Sequence, residues 1–91
     1  MLFMVIEHFK NGDPQPVYDR FYSVGRLLPE GLTYVASWVD AGSGRCFQIM
    51  ETEDPATLPS WTSRWSDLVD FEIVPVVASA QAAAAHASRG N

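Results

Sequence analysis

The stretch Leu32 to Thr52, LTYVASWVDAGSGRCFQIMET, constrains this chain more than any other. It has two runs of alternating character separated by the small residues Ala41-Gly42-Ser43-Gly44. A period of two is the strand signature, and glycines supply the positive φ that a tight hairpin loop needs. In the first run Tyr34, Ala36, Trp38 and Asp40 point one way, and Thr33, Val35, Ser37 and Val39 the other. In the second, Arg45, Phe47, Ile49 and Glu51 oppose Cys46, Gln48 and Met50. A half-solvated sheet should show one clean polar face, and neither face here is polar. The aliphatic set (Val35, Val39, Phe47, Ile49) is expected to lie under helices of the same chain. The mixed set (Tyr34, Trp38, Cys46, Gln48, Met50) is expected to meet something else.

The flanking segments supply those helices and two more strands. Leu2 to Phe9 is almost wholly apolar and reads as a central strand. Asp13-Pro14 then opens a helix, with Asp as cap and Pro at the first position. Val17, Phe21, Val24 and Leu28 form its expected buried stripe, and Pro29-Glu30-Gly31 ends it. Asp54-Pro55 repeats the helix start. Pro59 lies beyond a first turn counted from Asp54, so a broken or 3₁₀ turn is expected there, with regular helix from Pro59 or Ser60 to Leu68. Leu58, Trp61, Trp65 and Leu68 share its core face. Asp70 to Val77 reads as a strand, and Pro75 puts it at a sheet edge. Ser79 to Ala87 is an alanine-rich helical tail, and the last four residues are expected to be loose. The divisions expected are a domain over residues 1–78 and a tail over 79–91.

The order β-α-β-β-α-β with right-handed crossovers gives an α+β, ferredoxin-like sandwich: a four-stranded antiparallel sheet with both helices on one face. The other face would expose Met4, Ile6, Tyr34, Trp38 and Met50, and a second copy stacked on it is the economical cover.

The segments MLFMVIEHF, LPEGLTYVASWVD, RCFQIMETEDP and W-x₃-WSDLVDFEIVPV resemble the dimeric α/β-barrel superfamily. Within it, they resemble a bacterial domain family of unknown function. That superfamily includes cofactor-independent monooxygenases, ring isomerases, polyketide cyclases and stress-induced proteins. The resemblance implies a fold and a homodimer far more firmly than a reaction.

Composition excludes several function classes. The formal net charge is −5, and the six cationic residues are scattered, so no basic stripe exists to follow nucleic acid or an anionic membrane. The single cysteine can form no internal disulfide and offers no metal spacing, which fits a reducing cytoplasm. The apolar N-terminus is short and interrupted by Glu7 and His8, so it reads as neither signal peptide nor membrane span. No zinc spacing, nucleophile elbow, phosphate loop or dinucleotide fingerprint occurs, and no metal or cofactor is expected.

Five residues are candidates for chemistry. His8 ends the first strand in phase with Met4 and Ile6, and there it is placed to act as general base or to orient a polar ligand. The bland alternative is a strand-end histidine satisfied by water or a carbonyl. Tyr34 and Trp38 either line a pocket or pack a dimer. Gln48 needs a partner if buried, supplied by a ligand or by a bond across the dimer. Cys46 shares the Gln48 face and is a candidate ligand-binding residue; among its apolar neighbours it reads as structural before nucleophilic. Glu7 and Glu72 are expected to face solvent near strand ends. Two functional readings follow. One is a dimer binding a small apolar or aromatic molecule in a cavity between sheet and partner, extending to a cofactor-independent enzyme. The other is a non-catalytic stress or regulatory dimer.

Overall fold

A computed structural model describes residues 1–42 and 44–89, with side chains described as far as Ala87. Ser43 at the hairpin tip and the chain end Gly90–Asn91 lie outside the described residues. The elements in chain order are β1 (Leu2–Phe9), α1 (Gln15–Val24), β2 (Thr33–Val39), β3 (Arg45–Glu51), α2 (Thr57–Thr62), β4 (Val69–Val76) and α3 (Ser79–Arg89). A short 3₁₀ turn, Lys10–Gly12, joins β1 to α1. The strands form one antiparallel sheet in the order β2-β3-β1-β4. This is the ferredoxin-like arrangement, with α3 appended. β1 is central and Pro75 lies on the edge strand β4, where a missing N–H costs no ladder bond on the solvent side.

The register decides which side chains go inward. β1 pairs Phe3 with Met50, Val5 with Gln48 and Glu7 with Cys46, and directly opposed residues share a face. Phe3, Val5 and Met50 form the main core with Leu32, Leu58, Trp61 and Trp65, and Val17 and Phe21 of α1 pack against it. The second row, Met4 with Ile49, Ile6 with Phe47 and His8 with Arg45, therefore faces away from the helices. This corrects the expected face of β3. Cys46, Gln48 and Met50 are buried under the helices, while Phe47 and Ile49 lie on the open face. Hydrophobicity favoured the aliphatic set, but pairing with β1 fixes the phase of β3, and a one-residue slip would invert both strands.

β2 is corrected by a bulge. Tyr34 opposes Met50, but Ala36 opposes Ile49, so Val35 is an extra residue. Such an insertion shifts the alternation by one. Tyr34 therefore lies on the helix side with Ser37 and Val39, and Trp38 on the open side opposite Phe47. Val39, expected in the core, is 47% exposed at the sheet edge.

The helices are shorter than the patterns suggest. Asp13 Oδ1 accepts the Gln15 N–H at 3.0 Å, and α1 stops at Gly25, whose φ of 74° suits glycine. Val24 is consequently outside the stripe and 54% exposed. The chain into α2 makes 3₁₀-type bonds, Thr57 N–H to Asp54 O and Leu58 N–H to Pro55 O, as expected of an irregular start. The helix itself begins before Pro59 and ends before Leu68. Pro59 is its third residue, a position whose N–H has no partner inside the helix anyway. From Ser63 to Leu68 the chain continues in turns, with i→i−3 bonds at Arg64, Trp65 and Leu68. Among the described residues no helix is long and apolar enough to cross a membrane.

Candidate functional site

The expected site residues do not meet in one place. Glu72 lies beside His8 at 3.8 Å on the open face, which Trp38 shares. His8 lines neither the cavity under the helices nor the pocket between Leu2, Val76 and Gln81, and its side chain is 46% exposed. Cys46 and Gln48 lie on the other side of the sheet and line a cavity there; Tyr34 is on that side too but does not line it. That cavity lies between the sheet and α1 and the Trp61–Trp65 segment, rather than between the sheet and a partner. Its volume is about 120 Å³ and it is partly open to solvent.

The walls are mostly aromatic: Phe9, Phe21, Trp61 and Trp65, with Val17 and Val39. The polar groups are Glu7, Cys46 and Gln48 on the sheet, Arg26 in the loop after α1, Tyr18 and Ser37. Arg26 is placed with unusual firmness. Its carbonyl accepts the indole N–H of Trp61 at 2.9 Å and that of Trp65 at 3.1 Å. The next carbonyl, of Leu27, accepts Arg64 Nη1 at 2.7 Å. Gly25 and Leu27 both take positive φ, 74° and 60°, and in Leu this conformation persists only where neighbours impose it. α1 is tied to the same segment by Arg20, which makes a two-pronged bond to Asp67 at 2.8 and 2.6 Å.

The Arg26 side chain lies over the Tyr34 ring at 3.6 Å and the Phe21 ring at 5.1 Å. Its Nε donates a long hydrogen bond, 3.4 Å, to Gln48 Oε1. That donor sets the amide with its oxygen toward Arg26, leaving Nε2 to find another acceptor. It has none: Gln48 is 3% exposed and Nε2 is buried without a hydrogen-bond partner. An orphaned buried donor costs about 1–3 kcal/mol, so its occurrence on a residue that lines a cavity is informative.

Glu7, expected in solvent, is 8% exposed. Burial pushes its carboxyl above the ordinary 4.5, against the pull of a hydrogen bond with Cys46 and the charge of Arg26. Burial, then the charge of Glu7 and the bond with it, push the Cys46 thiol up to about 12. Cys46 is thus a neutral thiol at physiological pH and no nucleophile. The signal for Glu7 was present in the sequence, since it is in phase with Phe3, Val5 and Phe9. Arg26 carries no such signal: it follows a helix-ending glycine, and only the fold brings it to Gln48.

A titration checks the Glu7 assignment. A carboxyl held above its ordinary value favours folding fully below about pH 4.5, and this contribution is lost as pH rises through the folded value. Glu7→Gln is therefore expected to melt close to wild type in acid and above wild type at mildly alkaline pH. A constant difference across the range would show that the charge on Glu7 is not its source.

A family model described as a domain of unknown function, DUF3303, matches residues 1–90. The chain belongs to the DUF3303 family. No curated protein shows a match to it. The DUF3303 match spans every element described above, from β1 to α3, and so takes in the whole cavity wall.

Proposed function

We propose that the protein is a homodimer that binds a small, largely apolar or aromatic molecule in the cavity between its sheet and helices. The observation that carries this reading is an aromatic-walled cavity lined by Gln48, a residue whose buried Nε2 has no acceptor. Ligand sites combine apolar walls with a few placed polar groups, and an unfilled donor is what a ligand oxygen would complete. At about 120 Å³ the space compares with the ~150 Å³ cavity known to take benzene, so the occupant is of single-ring size. A thermal-shift screen of single-ring compounds tests it, with quenching of Trp61 and Trp65 fluorescence as the second readout. Val39→Phe, at the exposed rim of the cavity, is expected to abolish the ligand-induced rise while changing unliganded stability by no more than about 0.5 kcal/mol. If no single-ring compound shifts the melting temperature of wild type, the binding reading fails.

A cofactor-independent enzyme is the extension of this reading, and one observation favours it. Glu7 is a carboxyl tuned upward by burial inside the same cavity, the usual preparation of a general acid or base near neutrality. His8, outside the cavity, has no part in this extension.

The dimer rests on the open face. Met4, Ile6, Phe47, Ile49, Trp38 and Val74 lie there in adjoining rows with no cover from the chain's own helices. Its charges complement one another under a two-fold axis along β1. Arg45 and Asp70 flank His8 at the same level on opposite sides, so Arg45 of one copy would meet the partner's Asp70, each keeping its pairing with Asp40 and Lys10 of its own chain. The same stacking is what the dimeric α/β-barrel superfamily would have, and the strand order supports placing the family there.

A further inference from the structure

Building on the cavity reading, we infer that its ligand is a small aromatic carboxylate, held by the Arg26 guanidinium and the Gln48 side-chain amide. The chain has eleven acidic residues against six lysines and arginines. Even so, Arg26 has no carboxylate within 4.0 Å among the described residues, while Arg20 and Arg45 are paired with Asp67 and Asp40. Its position is built rather than incidental. Two indole N–H groups fix its carbonyl, and the Tyr34 and Phe21 rings support its charge. A half-buried guanidinium fixed by aromatic rings keeps its planar donor fork for a partner of matching geometry, and a carboxylate is the commonest such partner.

The remaining polar groups favour an anion over other ligand classes. Gln48 lines the same cavity; its oxygen accepts from Arg26, and its buried Nε2 is a donor without a partner. Glu7 lines the same cavity with its carboxyl pushed by burial toward the neutral form, while Arg26 stays charged, so a cationic ligand would meet like charge at Arg26. A neutral hydrocarbon would leave Gln48 Nε2 as unsatisfied as before. An oxyanion takes up both donors, and a single ring fills the space beside Phe21 and Trp65.

The test is titration calorimetry of wild type with benzoate, with benzamide and benzyl alcohol as neutral analogues of the same size and acetate as an anion without the ring. Benzoate is expected to bind at least about tenfold more tightly than benzamide, the ratio typical of a hydrogen-bonded charge. Acetate is expected to bind more weakly than benzoate. Arg26→Gln should erase the preference, weakening benzoate about tenfold more than it weakens benzamide. If Arg26→Gln does not fold, Arg26→Lys keeps the charge without the fork and should give an intermediate benzoate affinity. Benzamide binding as tightly as benzoate would overturn the carboxylate assignment and leave the cavity reading standing. So would a benzoate affinity that ignores Arg26. Binding by none of the ring compounds would overturn both.

Discussion

Trp61→Ala is expected to cost about 3–5 kcal/mol of stability, the usual range for deleting a buried aromatic side chain. In a small domain this is a large part of a total of about 5–15 kcal/mol. The side chain is 2% exposed and packs its ring against Phe71 at a centroid distance of 5.7 Å. It also lines the existing cavity, so its removal joins new empty space to old and the site has little chance to close around the loss. The indole N–H is a separate contribution. Trp61→Phe keeps a ring but gives up the bond to the Arg26 carbonyl, which Trp65 still serves at 3.1 Å. It should therefore cost much less, about 1–2 kcal/mol. Urea unfolding followed by far-ultraviolet circular dichroism separates the two variants. A loss below about 1 kcal/mol for Trp61→Ala would mean that the loop over the sheet is not held from α2 at all.

The same indole explains why the site was harder to read than the fold. Strand periods, the proline-marked helix starts and the glycine after α1 are local signals, and they carry the element order and the edge position of β4. The faces are not local. Phe47 and Ile49 outrank Cys46 and Gln48 in hydrophobicity, yet the second pair is buried because Glu7 and Val5 stand opposite it. An aliphatic face lost to the outside of the sheet is intelligible if a second sheet covers it. The bulge at Val35 left no mark in the alternation and reversed Tyr34 relative to Trp38. Glu7 was legible by parity with Phe3 and Val5, had the strand's phase outweighed the expectation that a carboxylate seeks water. Arg26 was not legible, since its role depends on two tryptophans thirty-five and thirty-nine residues away.

Ile49→Arg is expected to turn the proposed dimer into a monomer without unfolding it. Ile49 is on the central part of the open face, opposite Met4 on β1 and Ala36 on β2, and no helix of its own chain covers it. In an isolated chain the new guanidinium would reach water, so the fold should change stability by no more than about 0.5 kcal/mol. Between two stacked sheets it would be buried without a counter-charge, and an uncompensated buried charge costs about 3–5 kcal/mol. That is a loss of more than a hundredfold in association. Glu51, two residues along β3, is on the same face but at the strand end, where it stays in water rather than neutralising the new charge. Light scattering at low micromolar concentration should give twice the chain mass for wild type and the single mass for Ile49→Arg, with unchanged circular dichroism. A monomeric wild type would remove the dimer from the proposal. A variant that remains dimeric would move the interface off this face, leaving Met4, Phe47 and Trp38 as an apolar surface in need of another partner.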